Sequence, residues 1–318
     1  MNKLKKIGLS ALAGSLVATS AFAGEMAVGG SAKATWTDQP GNMSGSNFGL
    51  NKLLTFTGSG DLDSGHSVSV YFGNNGTSQS SAYLAYDMGD MGTVTLDNGA
   101  GGHGIGSIDD KTPTANEEIW DNISHGTGHD GYRVGVGNAG ALAYATTVAG
   151  VGISADYVKQ GGGSVEDGAT GAGQVGSSRS LALTYALADG FTVGAGIGDA
   201  GTARTDIEAQ QATMFATYAV GGFSFGVQQA EERTTEAYDW ETIQWGASFN
   251  VNDNISIGYG QRTVDRTDKT VDQEDSGFSA SWTMGSMSVK GNFNTSDDMH
   301  GTAGSNKETT EVAVSFAF

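Results

Sequence analysis

The last eight residues alternate strictly: Val312, Val314, Phe316 and Phe318 are apolar, while Glu311, Ala313, Ser315 and Ala317 are polar or small. A period of two gives a β-strand one face of each kind, and a helix-length apolar pattern cannot satisfy it. Comparable runs lie at 26–36, 50–60, 67–72, 82–88, 93–97, 141–147, 151–158 and 180–187. They continue at 191–198, 213–220, 223–229, 242–250, 255–263, 277–284, 287–294 and 308–318, which makes sixteen. No segment after the first 23 residues approaches the roughly 18 consecutive apolar residues of a membrane-crossing helix.

The connections alternate in length. Short ones lie at 61–65, 89–92, 148–150, 188–190, 221–222, 251–254 and 285–286, and the connections between them are longer and polar, such as 160–176 and 264–275. This describes an up-and-down antiparallel sheet with tight turns and both chain ends at one side and long loops at the other. The face chemistry then decides what surrounds the sheet. A soluble sandwich would point its oily face inward and its polar face to water. Here the non-oily positions are largely Gly, Ala, Ser and Thr, and the chain holds 51 glycines without a collagen-like repeat. Phe191, Phe223, Phe249 and Phe318 fall beside the short turns or the terminus. The pattern suits a closed barrel with lipid outside, water inside and an aromatic girdle at the interface. An exported soluble sandwich or solenoid would instead need an inward oily core or a fixed long repeat.

The first residues read as an export signal. Lys3, Lys5 and Lys6 precede an apolar stretch to about Ser20, and Ala21-Phe22-Ala23 precedes Gly24. This is the layout of a cleaved signal peptide covering 1–23, with cleavage between Ala23 and Gly24 and a single barrel domain over 24–318. The formal charge of −19 becomes −22 once the three lysines leave. Such a surface excludes a nucleic-acid partner held by phosphate neutralisation. The chain has no cysteine, which removes disulfide frameworks, thiolate metal sites and cysteine nucleophiles.

With these features the chain resembles the Gram-negative trimeric porins, most closely the alphaproteobacterial general porins. The residues that carry the resemblance are the signal ending in Ala21-Phe22-Ala23, the first strand GEMAVGGSAKATW, the hairpin LTFTGSGDLDSGHSVSVYF, the run DMGTVTLDNGAGG and the terminal EVAVSFAF. The resemblance implies a sixteen-stranded transmembrane barrel in the bacterial outer membrane. It also implies a homotrimer, contact with lipid and lipopolysaccharide, and Phe318 as a signal read by the outer-membrane assembly machinery. In the family, the loop after the fifth strand folds into the barrel and narrows the pore. The longest connection here, 98–140, follows the fifth run.

That connection carries Asp109, Asp110, Glu117, Glu118, Asp121 and Asp130 against Lys111 and Arg133. Ile105, Ile108, Ile119, Trp120 and Ile123 are apolar anchors that make docking inside the barrel more favourable than exposure to water. On the polar parity of the strands, Lys33, Arg262 and Lys290 would point into the lumen, opposite in charge to the loop, giving a transverse field. Lys52 and Arg179 share the apolar parity and belong at the loop rim.

Catalytic motifs are weak. Gly99, Gly101 and Gly104 fit G-x-G-x-x-G without a following helix, and Gly222 to Gly226 fits G-x-S-x-G inside a hairpin instead of a strand-to-helix elbow. His125 and His129 are four apart, but HGTGHDG is not helical in character. No enzyme and no cofactor are expected. Asp265, Asp268, Asp272, Glu274 and Asp275, and likewise Asp297 and Asp298, are either solvated or bridged by structural calcium. The expected function is a water-filled passive diffusion channel for small hydrophilic solutes and ions, weakly cation-selective. The competing expectation is a barrel that anchors acidic surface loops as an adhesin or receptor.

Overall fold

Strict alternation leaves every second side chain free to meet a different solvent, and the computed structural model describes residues 24–38, 47–76, 79–123, 139–159, 177–201, 208–234 and 239–318. The expected signal segment, 1–23, lies outside the described residues. Among those described, sixteen strands form one closed antiparallel barrel. The first eight are β1 (Glu25–Asp38), β2 (Phe48–Asp61), β3 (Ser67–Asn74), β4 (Gln79–Asp87), β5 (Thr93–Asn98), β6 (Ala139–Val148), β7 (Val151–Val158) and β8 (Ser178–Ala188). They are followed by β9 (Phe191–Gly201), β10 (Glu208–Val220), β11 (Phe223–Thr234), β12 (Trp240–Asn252), β13 (Ile255–Arg266), β14 (Gln273–Met284), β15 (Met287–Asp297) and β16 (Lys307–Ala317). Each strand coincides with one alternating run of the sequence. The described helical structure is limited to short 3-10 turns at Gly89–Met91, Gly104–Ile108 and Met299–Gly301. Among the described residues no helix is long and apolar enough to cross a membrane.

Closure is made by β1 and β16, in a register that sets Ala34 opposite Val314 and Trp36 opposite Val312. Beyond it, the Gly30 N–H donates to the Phe318 carbonyl (2.8 Å) and the Phe318 N–H returns to the Gly30 carbonyl (2.9 Å). The start of β1 and the end of β16 share the side of the two-residue turns at 149–150, 189–190, 221–222, 253–254 and 285–286. Turns this tight demand unusual backbone. Gly190 has φ +70°, and a Cβ there would meet the Ala219 carbonyl of the next hairpin.

The pairing register sorts the side chains. Val70, Leu84, Leu96 and Leu142 stand directly opposite one another across β3 to β6, and Leu84, Leu96 and Leu142 are each about half exposed. A water-soluble monomer rarely carries so continuous an apolar surface, whereas lipid matches it. Towards the short turns the outward positions become aromatic: Phe223 stacks on Phe249 at 4.2 Å and Phe191 meets the edge of Tyr218. Phe318 continues this level and is 79% exposed. Inward positions carry the buried polar residues, among them Ser180, Gln228, Gln244, Asn292 and Asn294. Lys52 and Arg179 face outward, on the parity of Leu50 and Leu181.

The two faces predict opposite tolerances. Leu96→Arg, which puts a charge on the outward apolar row, should cost about 2–4 kcal/mol if Leu96 lies near the bilayer midplane. Thr95→Arg, one residue away and facing inward, should cost far less. Urea unfolding in phospholipid vesicles measures both, and equal losses would contradict the assigned faces.

Candidate functional site

The longest connection leaves β5 and is described as far as residue 123. A chain entering a confined space must satisfy its peptide groups there, and it does so from the first residue. Asp97, buried at the end of β5, accepts the N–H groups of Ala100 (2.8 Å) and Gly101 (3.0 Å), and its Oδ2 lies 2.8 Å from His103 Nε2. Ser154 Oγ accepts the Gly104 N–H and Ser180 Oγ the Ile105 N–H. Ser180 in turn donates to Asp156. Gly104 therefore opens a single 3-10 turn, not the helix a dinucleotide site requires. That turn buries Ile105 and Ile108, the latter against Ala182 and Phe215.

Further on, Gln228 grips the chain at two points: its Oε1 accepts the Lys111 N–H (2.7 Å) and its Nε2 donates to the Ile108 carbonyl (2.7 Å). Gln244 Nε2 donates to Asp110 Oδ1 (3.1 Å), and Ser279 Oγ accepts the Ala115 N–H (3.0 Å). Asn294 Nδ2 reaches the Asp121 carbonyl (3.0 Å), and Lys307 Nζ donates to the Ile123 carbonyl. All these wall residues sit on the parity opposite the apolar one. Residues 99–123 thus lie against the inner face, from β7 round to β16 and β1.

The acidic residues named from the sequence divide accordingly. Asp109 is exposed, while Asp110, Glu117, Glu118 and Asp121 are half-buried. Asp130 and Arg133 lie outside the described residues, as do His125 and His129. Burial raises the Asp110 and Glu118 carboxyls above their ordinary range. Asp121 is pushed up to about 6, first by burial and then by the neighbouring charges of Glu311, Glu117 and Glu118.

The basic residues require a correction. Lys33, Arg262 and Lys290 do occupy inward positions, but Lys33 and Arg262 do not face the loop across open water. Lys33 Nζ is 3.2 Å from Glu117 Oε1. The Arg262 side chain is fully buried, with Nε 2.7 Å from Asp275 Oδ2 and its guanidinium 4.5 Å from the centre of the Trp120 ring. These cations lie beneath the loop and hold it. Lys290 sits two residues nearer the short turns than Asn292, and is half-buried.

Two charged residues at the site escaped the sequence reading. Glu311 of β16 is buried on the inner face, where its Oε2 accepts from Asn122 Nδ2 (2.9 Å), an amide that also donates to Asp121 Oδ2 (2.7 Å). Lys307 lies on the same face. Both occupy the non-apolar parity of the last strand, the mark that identified Arg262, so the same test would have found them. The neutral Gln228, Ser279 and Asn294 share that parity with many other polar residues of the inner face, so parity alone does not single them out.

The register separates some of the acidic residues for which solvation or calcium was expected and sets Glu274 opposite Asp297. Asp275 turns inward to Arg262, Asp265 and Glu274 turn outward, and Asp268 pairs with Arg266 at 2.9 Å. Asp298 accepts the Gly304 N–H of its own loop. Among the described residues no group of three or more His, Asp or Glu side chains is arranged to hold a metal.

A family model described as Gram-negative porin matches residues 8–318. The chain belongs to the Gram-negative porin family. Solved porins share the fold at low identity. The anion-selective porin of Comamonas acidovorans superposes with a TM-score of 0.66 at 15% identity, covering 93% of this chain and all of that one. A triple mutant of the Rhodopseudomonas blastica porin gives 0.64 at 13% identity, over 92% of this chain and all of that one. No curated protein matches the sequence significantly. The protein is accordingly an outer-membrane channel, and its apolar outer belt faces lipid.

In this porin the buried Arg262–Asp275 pair generates a prediction. Asp275→Ala leaves the guanidinium buried without that counter-charge and should cost about 3–5 kcal/mol, seen as a lower unfolding temperature in detergent. The double variant Arg262→Met, Asp275→Ala should recover most of the loss. A single variant as stable as the parent would show that the pair is not what keeps Arg262 in place.

Proposed function

We propose that the porin is a passive diffusion channel for small hydrophilic solutes and ions, in which residues 99–123 narrow the lumen and confer a cation preference. No catalytic step is involved. The observation that carries the selectivity is the lopsided charge of the lumen. Lys33 is opposed by Glu117 and Arg262 by Asp275. The inward positions of β2 to β7, away from this seam, hold no lysine or arginine. Asp109, Asp110, Glu118 and Asp121 therefore act on permeating ions without a facing row of cations. Acidic residues farther from a passing ion than the roughly 8 Å over which charge acts at physiological salt contribute less. Family membership does not set the sign, since the Comamonas porin is named as anion-selective.

The same reading includes cleavage after Ala23, assembly into homotrimers, lipopolysaccharide around the outer belt and recognition of Phe318 by the assembly machinery. A barrel serving only to anchor acidic surface loops as an adhesin gives no reason to hold its longest connection against the inner wall through Gln228, Ser279, Asn294 and Lys307. Purified protein in planar bilayers separates the two, because the anchor reading requires no conductance.

In a salt gradient, neutralising Asp109, Asp110, Glu117 and Glu118 should shift the zero-current potential toward anions. Neutralising Asp265, Asp268 and Asp272 should hardly move it, and equal shifts would relocate the filter. A pH dependence accompanies this. Asp121, with its carboxyl raised to about 6, is charged above that pH and neutral below it. Cation preference should be fullest above pH 7 and decline as pH falls through 6. Asp121→Asn should flatten that part of the profile, and an unchanged profile would remove Asp121 from the filter.

A further inference from the structure

Four of the glycines form a row that neither turns nor backbone conformation require. Gly226 of β11 stands directly opposite Gly246 of β12, Gly246 opposite Gly260 of β13, and Gly260 opposite Gly277 of β14. All four face inward, and none has a positive φ. Glycine inside a strand costs about 0.5–1 kcal/mol relative to alanine and contributes nothing to cross-strand packing. What the four share is the loop lying over them. A Cβ on Gly226 would come 2.7 Å from Pro113 Cδ, and one on Gly246 would come 2.6 Å from the Pro113 carbonyl oxygen. On Gly277 it would meet the wall's Asn294 Oδ1 first and then Ile119 at 2.9 Å, and on Gly260 the Trp245 carbonyl oxygen at 2.8 Å and the Ile119 Cγ2 at 3.2 Å. Several of these separations are shorter than a side chain tolerates, so the space above the row exists only because the side chains are missing.

We propose that the row Gly226, Gly246, Gly260 and Gly277 sets the bore of the pore. It forms a recess one side chain deep, in which residues 111–119 lie flat against the wall. Gln228 and Ser279 fasten the loop over this recess, so the loop neither rises off it nor slides along it. The clear width left for solutes is then fixed by the depth of the recess. The four glycines are positioning residues that touch the loop and not the solute. This inference rests on the channel reading above and deepens it, because it names what determines the size limit.

The test uses the purified full-length porin. Gly226→Ala and Gly246→Ala should each push the loop toward the pore axis, lowering single-channel conductance and shrinking the largest sugar that enters proteoliposomes. Pro113→Ala, which removes the colliding Cδ, should restore much of the conductance lost in Gly226→Ala. Gly291→Ala, an outward glycine of β15, is the control for a strand glycine away from the loop and should leave both readouts unchanged. Parental conductance and size limit in the two row variants would overturn the proposal, as would a loss no larger than that of Gly291→Ala. A second measurement covers variants that fail to assemble. The chain has no cysteine, so a single one reports cleanly. Pro113→Cys should react with a membrane-impermeant maleimide at least tenfold more slowly than Asp109→Cys, and equal rates would overturn the seat. Absence of any conductance in the parent protein would defeat the channel reading instead, while slow labelling at position 113 would still support the seat.

Discussion

A peptide group in hydrocarbon has no hydrogen-bonding partner except another peptide group, and each one left unpaired costs several kcal/mol. The barrel meets this condition by having no edge. Its two terminal strands are the only ones that could present free edges, and they pair from Ser31–Ala317 to Asp38–Thr310, with the reciprocal Gly30–Phe318 bonds extending the ladder to the last residue. Closure is also what separates two solvents. Once the sheet is a cylinder, the period-two alternation becomes a division between lipid and lumen, and the exposed Leu84, Leu96 and Leu142 row ceases to be an aggregation hazard.

The lumen brings the same problem back in a milder form. Residues 99–123 have almost no regular structure of their own, so their peptide groups need partners other than a ladder. Inner-wall side chains provide them: Ser154 and Ser180 at the root, Gln228 in the middle, Ser279 and Asn294 further on, and Lys307 at the far end. The polarity of the inner face therefore has two causes. Part of it wets the pore, and part of it is the hydrogen-bonding complement of one loop. Ile105, Ile108 and Ile123, all fully buried, add the apolar component that makes docking favourable over hydration.

This division explains what could be read from the sequence. Alternation depends on nearest neighbours along the chain, so all sixteen strands, the side of the short turns and the outward aromatics Phe191, Phe223 and Phe249 were legible without any tertiary information. Parity likewise gave the inward direction of Lys33, Arg262 and Lys290. Their partners were not legible, because a partner depends on which strand passes beneath which loop residue. Lys33 meets Glu117 across 84 positions, and Asn122 meets Glu311 across 189. The arrangement of the acidic stretch 265–275 was not legible for a related reason. Proximity in sequence left solvation and a shared cation both open, and it did not show that the strand pleat turns Glu274 and Asp275 to opposite faces and gives Asp275 to Arg262.

The wall cations also resolve a conflict within the loop. Asp110, Glu117, Glu118 and Asp121 resist docking, since each loses hydration and repels the others, and the raised carboxyls of Asp110, Glu118 and Asp121 record that resistance. The loop is nevertheless held. Its first half is fixed by wall hydroxyls and amides and, at its root, by the Asp97 carboxylate, which accepts the Ala100 and Gly101 N–H groups. Its second half, where Glu117, Glu118 and Asp121 crowd against Glu311, is fixed by Lys33, by Arg262 stacked on Trp120 and by Lys307. Positive charge is thus placed where negative charge would otherwise lift the loop away. Lys33 is matched by Glu117 of the loop and Arg262 by Asp275 of the wall, so at these two positions the cation fastens the loop while its own charge is compensated.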